Sequence, residues 1–283
     1  MMEVLLADGA GFCFGVKRAL KIARSILTQA EGASHRQAVY SLGPLVHNSQ
    51  VVAELEKEGM RIFNDFDDSP KGFLVVRSHG IAPQIREQAL NAGWQIVDAT
   101  CPLVQKIHQL AEKLKEENYH IVIIGHQGHP EVQGIAGFAG DNYTLLENSV
   151  QARKMPRKEK IGVLVQTTAP LGEFTKILKI LVNKSFELRV FNTLCFETQR
   201  RQLSTRKLAK KVDLMVVVGG RNSSNTHRLV EIIRSMGKPV YHIEQPEELN
   251  RGDFVNIASV GLTAGASTPP ELVERAFKLL TTF

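Results

Sequence analysis

Residues 94–101 read WQIVDATC, an apolar strand-like run that ends in a lone cysteine and passes directly into a helical pattern headed by Pro102. The same arrangement stands at 4–13 (VLLADGAGFC) and 186–195 (FELRVFNTLC), and these stretches hold the only 3 cysteines of the chain. The cysteines lie 88 and 94 residues apart, and the last stands 88 residues before the C-terminus. Self-similarity of this kind points to three units, 1–96, 97–190 and 191–283.

Each unit repeats more than its cysteine. After the helical pattern comes a β-rich run that ends in polar residues: 38–48 (AVYSLGPLVHN), 120–131 (HIVIIGHQGHPE) and 214–225 (LMVVVGGRNSSN). A further strand then runs into small residues and a proline, at Pro83, Pro170 and Pro269, and a helical pattern follows each. Proline suits the first helical turn, where its missing N–H costs nothing. Strands alternating with helices predict an α/β fold with mostly parallel sheets, and in such sheets ligands bind beyond the carboxyl ends of the strands. The candidates there are Cys13, His47 and His79 in the first unit, Cys101, His129 and Thr167 in the second, and Cys195, Ser224 and Ser267 in the third. Three matched units about a pseudo-threefold axis would aim all of them at one central cavity.

At 283 residues and 43% hydrophobic the chain can bury a substantial core. Its net charge of +6 favours anions, but the basic runs at 153–160 (RKMPRKEK) and 207–211 (KLAKK) lack interleaved aromatics. They read as solvated helix faces, so no nucleic-acid partner is expected. The N-terminus lacks the basic and long apolar regions of a signal peptide, and the apolar runs are far shorter than a bilayer span requires. A cytoplasmic protein with no membrane partner is expected, with thiols kept reduced.

Each cysteine precedes a helical pattern, where the helix dipole and free N–H groups favour thiolate. One cysteine at such a turn reads as a small buried hydrophobe. Three at matching places read as ligands. A structural zinc site draws four ligands, usually from paired short spacings that are absent here, although zinc with three cysteines and His47, His79 or His129 is an alternative. Three distant thiolates suit a [4Fe-4S] cluster with one iron free of protein ligands.

The polar turns carry other chemistry. His126 and His129 make an HxxH pair with Glu131 nearby, a possible metal pair, but the glycines around them argue against the helical zincin geometry. Donors for an anion plus one proton source fit better. The turn from Gly219 to Asn225, with Ser223 and Ser224, is a second candidate anion cradle.

At these residues the chain resembles the 4-hydroxy-3-methylbut-2-enyl diphosphate reductases, the LytB family of the non-mevalonate isoprenoid pathway. The resemblance spans essentially the whole chain through GFCFGVKRA, GPLVHN, VRSHG, DATCP, GHQGHPEVQG, QTT, TLCFETQRRQ, GGRNSSNT and GLTAGASTP. It implies a trefoil of three α/β units around one [4Fe-4S] cluster per chain, with Cys13, Cys101 and Cys195 as ligands. It further implies an allylic diphosphate substrate held by His47, His79, His129, Ser223, Ser224, Asn225 and Ser267. Thr167 and Glu131 would lie at the substrate hydroxyl, with Glu131 the proton donor and His129 beside it. The implied electron donor is ferredoxin, flavodoxin or a similar carrier, and a monomer is expected. One departure is Glu197, where the family carries a small residue. The competing reading is a Cys/His zinc-dependent phosphate-ester hydrolase.

Overall fold

Why a parallel sheet forms is visible in β10 (Leu214–Val218), five apolar residues buried on both faces. Continuous apolar runs of this length are what a strand covered on both sides requires. The structure is a computed structural model that describes residues 2–32, 37–63 and 72–283. In chain order its elements are β1 (Glu3–Leu6), α1 (Phe14–Glu31), β2 (Val39–Leu42), α2 (Ser49–Lys57), β3 (Met60–Phe63), β4 (Phe73–Val76), α3 (Pro83–Asn91) and β5 (Gln95–Asp98). There follow α4 (Pro102–Glu116), β6 (His120–Ile124), α5 (Pro130–Ala139), β7 (Tyr143–Leu146), α6 (Ser149–Lys154), β8 (Lys158–Val165), α7 (Leu171–Leu181) and β9 (Ser185–Val190). After β9 come α8 (Phe196–Ala209), β10, α9 (Ser224–Ser235), β11 (Val240–Ile243), β12 (Ser259–Ala264) and α10 (Pro270–Thr281).

The strands form three four-stranded sheets, ordered β1-β12-β10-β11, β3-β2-β4-β5 and β7-β6-β8-β9, with every pairing parallel. The three orders are the same doubly wound pattern, and the strand leading to a cysteine is always at one edge. The expected mostly parallel α/β sheets are therefore present. Two details differ from the sequence reading. Each sheet has a fourth strand, β3, β7 or β11, at its other edge; these four-residue runs mix polar and apolar side chains and do not stand out from loops. And β1, which a division at residue 96 groups with the first unit, pairs with β12, with Val4 opposite Val260 and Leu6 opposite Leu262.

By contact density the residues group into two units, Met1–Lys17 with Val46–Lys57 and Phe196–Phe283, and Arg18–Leu45 with Glu58–Cys195. In the former, Leu214, Val216 and Val218 pack with Leu272, Val273 and Ala276 of α10, while Met215 and Val217 pack with Leu208 of α8 and Leu229 and Ile233 of α9. In the latter, Val122 and Ile124 meet Phe174, Ile177 and Leu181 of α7, and Ile121 and Ile123 meet α4 and α5 through Ile107, Ala111 and Ile135. Burial of each such large side chain stabilises by about 1.5–3 kcal/mol. Around β2 and β4 the filler is aromatic: Trp94 meets Tyr40 edge-on at 5.0 Å and stacks on Phe63 at 5.5 Å.

Candidate active site

Beyond the carboxyl end of each sheet the cysteine is fixed by the same backbone bond. The amide of Cys13 donates to the carbonyl of Ala266 at 3.0 Å, that of Cys101 to Ser78 at 3.0 Å and that of Cys195 to Thr167 at 2.9 Å. Every acceptor lies two residues past the end of the neighbouring strand, β12, β4 or β8. Equivalent pairings thus put three half-buried thiols at equivalent places, each just ahead of a helix. Cys13 Sγ accepts the amide of Val16 at 3.4 Å, and Cys101 is the residue capping α4. The DATC turn that delivers Cys101 is held by Asp98, whose carboxylate accepts the Thr100 amide at 2.9 Å.

In the unit of Glu58–Cys195 the central pair is Glu131 and Thr167. Glu131, in the first turn of α5, is 2% exposed. One carboxyl oxygen accepts the Thr167 amide at 2.7 Å and the other accepts the Thr167 hydroxyl at 2.7 Å. Burial pushes the carboxyl up to about 7, and the two Thr167 bonds oppose the shift without cancelling it. His129 caps α5, its Nδ1 accepting the Glu131 amide at 3.2 Å. That contact leaves Nε2 to carry the proton of the neutral ring. His79 stands edge-on to His129 with ring centroids 5.4 Å apart. His126, by contrast, is 80% exposed in its side chain and bound to Glu147 at 2.9 Å, so the HxxH metal pair does not form.

In the unit containing β10 and β12, Ser267 donates its hydroxyl to the His47 carbonyl at 3.0 Å. Gly220 lies so close that a Cβ there would stand 2.5 Å from the same oxygen. Ser223 caps α9 by accepting the Thr226 amide, and Ser224 opens the helix half-buried. Asn225 is 5% exposed, yet neither Oδ1 nor Nδ2 finds a partner among the described residues. A buried amide of this kind calls for a polar ligand. Glu197 is exposed and interacts electrostatically with Arg200.

Sequence reasoning did not single out Gln166 or Asn48. Gln166 accepts the His126 amide at 2.9 Å and donates to Thr168 at 2.9 Å, shaping the turn that carries Thr167. Asn48 caps α2 through the amides of Gln50 and Val51, fixing the segment that begins at His47. An Asn ahead of SQVVAEL is a helix-start signal available in the sequence.

The family model described as LytB protein matches residues 4–281. Among curated relatives, a 4-hydroxy-3-methylbut-2-enyl diphosphate reductase of Pelobacter propionicus is 41% identical over 96% of this chain and 95% of its own. Its counterpart in Geobacter sulfurreducens is 38% identical over 100% of this chain and 98% of its own. Among solved structures, the E-1-hydroxy-2-methyl-but-2-enyl-4-diphosphate reductase from Plasmodium falciparum superposes with a TM-score of 0.92 at 33% identity, over 99% of this chain and 88% of that one. A thrice-repeated cysteine turn, three sheets of one strand order and a match along nearly the whole length lead to one assignment: the chain belongs to the LytB family.

Proposed function

We propose that the protein reduces (E)-4-hydroxy-3-methylbut-2-enyl diphosphate to isopentenyl and dimethylallyl diphosphates, the last step of the non-mevalonate pathway. The reaction breaks the allylic C–O bond, releases the oxygen as water and forms a C–H bond, consuming two electrons and two protons. The observation that carries this reading is the Glu131 carboxyl, buried, bound through both oxygens to Thr167 and pushed up to about 7. A carboxyl raised to about 7 stays partly protonated at neutral pH and can serve as a proton source for a leaving hydroxyl. Thr167 orients that acid, and His129 stands beside it.

The donor set fits an iron-sulfur cluster. Cys13, Cys101 and Cys195 would hold one [4Fe-4S] group, being thiols set at equivalent helix starts that favour thiolate. When bound, that group supplies the two electrons singly, from a carrier such as ferredoxin or flavodoxin. The diphosphate is assigned to His47, His79, His129, Ser223, Ser224, Asn225 and Ser267. Support comes from the buried amide of Asn225, which has no partner among the described residues, and the helix start at Ser224, both suited to an anion. Histidines neutralise charge without a permanently cationic pocket. We retain the three-unit division near residues 97 and 191, with β1 completing the third sheet, and assign the chain to the cytoplasm as a monomer. No helix among the described residues is long and apolar enough to cross a membrane. The zinc-hydrolase reading gains no support from relatives that are reductases.

Anaerobic iron and sulfide analysis with a visible spectrum, followed by a dithionite-driven assay with the allylic diphosphate, tests the proposal. A brown protein that forms both products is expected. A colourless zinc protein, or a brown one without turnover, would refute it.

A further inference from the structure

The turn that follows β10 is held from the edge strand beside it. His242, in β11, bonds through Nε2 to the Gly219 carbonyl at 2.8 Å. A carbonyl only accepts, so Nε2 carries the ring proton. Just past the strand, Glu244 accepts the Arg221 amide at 2.7 Å, and His227, near the start of α9, bonds to the Arg221 carbonyl. The rings of His227 and His242 meet edge-on with centroids 5.7 Å apart. On its other side Gly219 is pressed onto threonines: a Cβ there would stand 2.7 Å from Thr226 Oγ1 and 2.8 Å from Thr268 Oγ1.

The His242 bond fixes the next residue as well. A peptide group is planar and trans, so the Gly220 N–H points opposite to the Gly219 carbonyl, away from β11. Gly220 is buried, and its amide donates to nothing among the described residues. The amides on either side are already bonded, Gly219 to the Ile243 carbonyl at 2.9 Å and Arg221 to Glu244. Buried main-chain donors are almost always paired, so one left over calls for an acceptor from outside the chain. The same turn ends at Asn225, whose buried side-chain amide also has no partner among the described residues. Oxygens of an anion are acceptors of that kind.

We propose that His242 is a positioning residue for the substrate's diphosphate: by holding the Gly219 carbonyl it keeps the Gly220 N–H turned to the anion as a further donor. The proposal rests on the reductase reading above and deepens it by one donor and the residue that aims it. His242 acts here as a hydrogen-bond donor and not as a charge. Burial, with His227 and Arg221 nearby, holds its ring below the usual histidine range against the Gly219 bond and Glu244, so the ring is mostly neutral at pH 7.

The test compares His242→Phe, which keeps a ring and removes the donor, with His242→Gln, which keeps a side-chain N–H. Both are made in the cluster-loaded enzyme and driven by dithionite. In His242→Phe the KM for the allylic diphosphate and the Ki of inorganic diphosphate should both rise about fivefold, the scale of one hydrogen bond, with kcat and iron content within about twofold of the parent. His242→Gln should bring both constants back to within about twofold. The rise should be fully present at pH about 8.5, where the ring is neutral; a rise confined to pH below about 6 would make His242 a charge and overturn the positioning role. Unchanged KM and Ki in His242→Phe overturn it too, as does a kcat that falls with stability while KM holds. A parent without dithionite-driven turnover refutes the reductase reading, and calorimetric titration with inorganic diphosphate then decides the positioning role alone: weaker binding to His242→Phe supports it and equal binding refutes it. Should His242→Phe fail to load iron, His242→Leu, which also lacks a donor, is judged by the same outcomes.

Discussion

Thr167 binds both carboxyl oxygens of Glu131, one through its amide and one through its hydroxyl, each at 2.7 Å. The two bonds come from the main chain and the side chain of one residue, two past the end of β8, so they fix the carboxyl plane as well as its position. Burial, which raises the carboxyl to about 7, outweighs the bonds that would lower it. A held but protonatable acid is the outcome.

Glu131→Gln keeps size and hydrogen bonding but removes the carboxylic proton. Iron content and substrate affinity should be retained, while dithionite-driven turnover falls at least about 100-fold, the scale of general acid catalysis. Saturating reductant keeps electron supply from limiting. Turnover within a few-fold of the parent would leave Glu131 as a helix-start residue only.

The raised Glu131 value also sets a pH dependence. Below the unfolded value of 4.5 the carboxyl is protonated in both states, and its contribution to stability is fully present; it is lost as pH rises through about 7. Comparing parent with Glu131→Gln cancels the other groups. In denaturant melts from pH 4 to pH 8, the parent should lose roughly 3 kcal/mol relative to the variant, from about 1.36 kcal/mol per pKa unit. Turnover of the parent should decline above pH about 7 for the same reason, and a profile flat to pH 9 would contradict it.

Serine at Cys13, Cys101 or Cys195 leaves the backbone bonds to Ala266, Ser78 and Thr167 available, so folding should persist. Iron and the visible chromophore should be lost or become labile in each variant. Any one that keeps full iron and full turnover removes that cysteine from the ligand set.

Gly220→Ala places a methyl 2.5 Å from the His47 carbonyl oxygen, a backbone atom that cannot swing aside. The segment that carries His47 must shift, breaking its bond from Ser267. Expected are a loss of about 1–3 kcal/mol in stability, as for other overpacked sites, and a several-fold higher substrate KM with the cluster spectrum unchanged. Thermal melts and steady-state kinetics check both.

Much of the site was legible because its residues cluster where strands end. His47, His79, His129, Thr167 and Ser267 stand within a few residues of the ends of apolar runs, and a continuous apolar run with a polar stop is a local signal. Gln166 was not legible as a site residue, because its work is to shape the turn around Thr167 through bonds to His126 and Thr168. The sequence pointed to His129 rather than His126, but not to where His126 goes. Both stand in one glycine-rich turn, and only the approach of Glu147 from the end of β7 draws His126 to the surface.

The sequence by itself determined the threefold repetition of strand, cysteine and helix, the parallel α/β class and the polar strand ends. These follow from local periodicity and from proline and glycine chemistry, which act within a few residues. Tertiary structure alone decided that β1 completes the sheet of β10, β11 and β12 from the opposite end of the chain, since edge pairing depends on which apolar edge is left uncovered. It alone decided the protonation of Glu131 as well. A glutamate at a helix start is ordinarily ionised; the packing that removes water raises this one to about 7, against the two Thr167 bonds that favour its charged form.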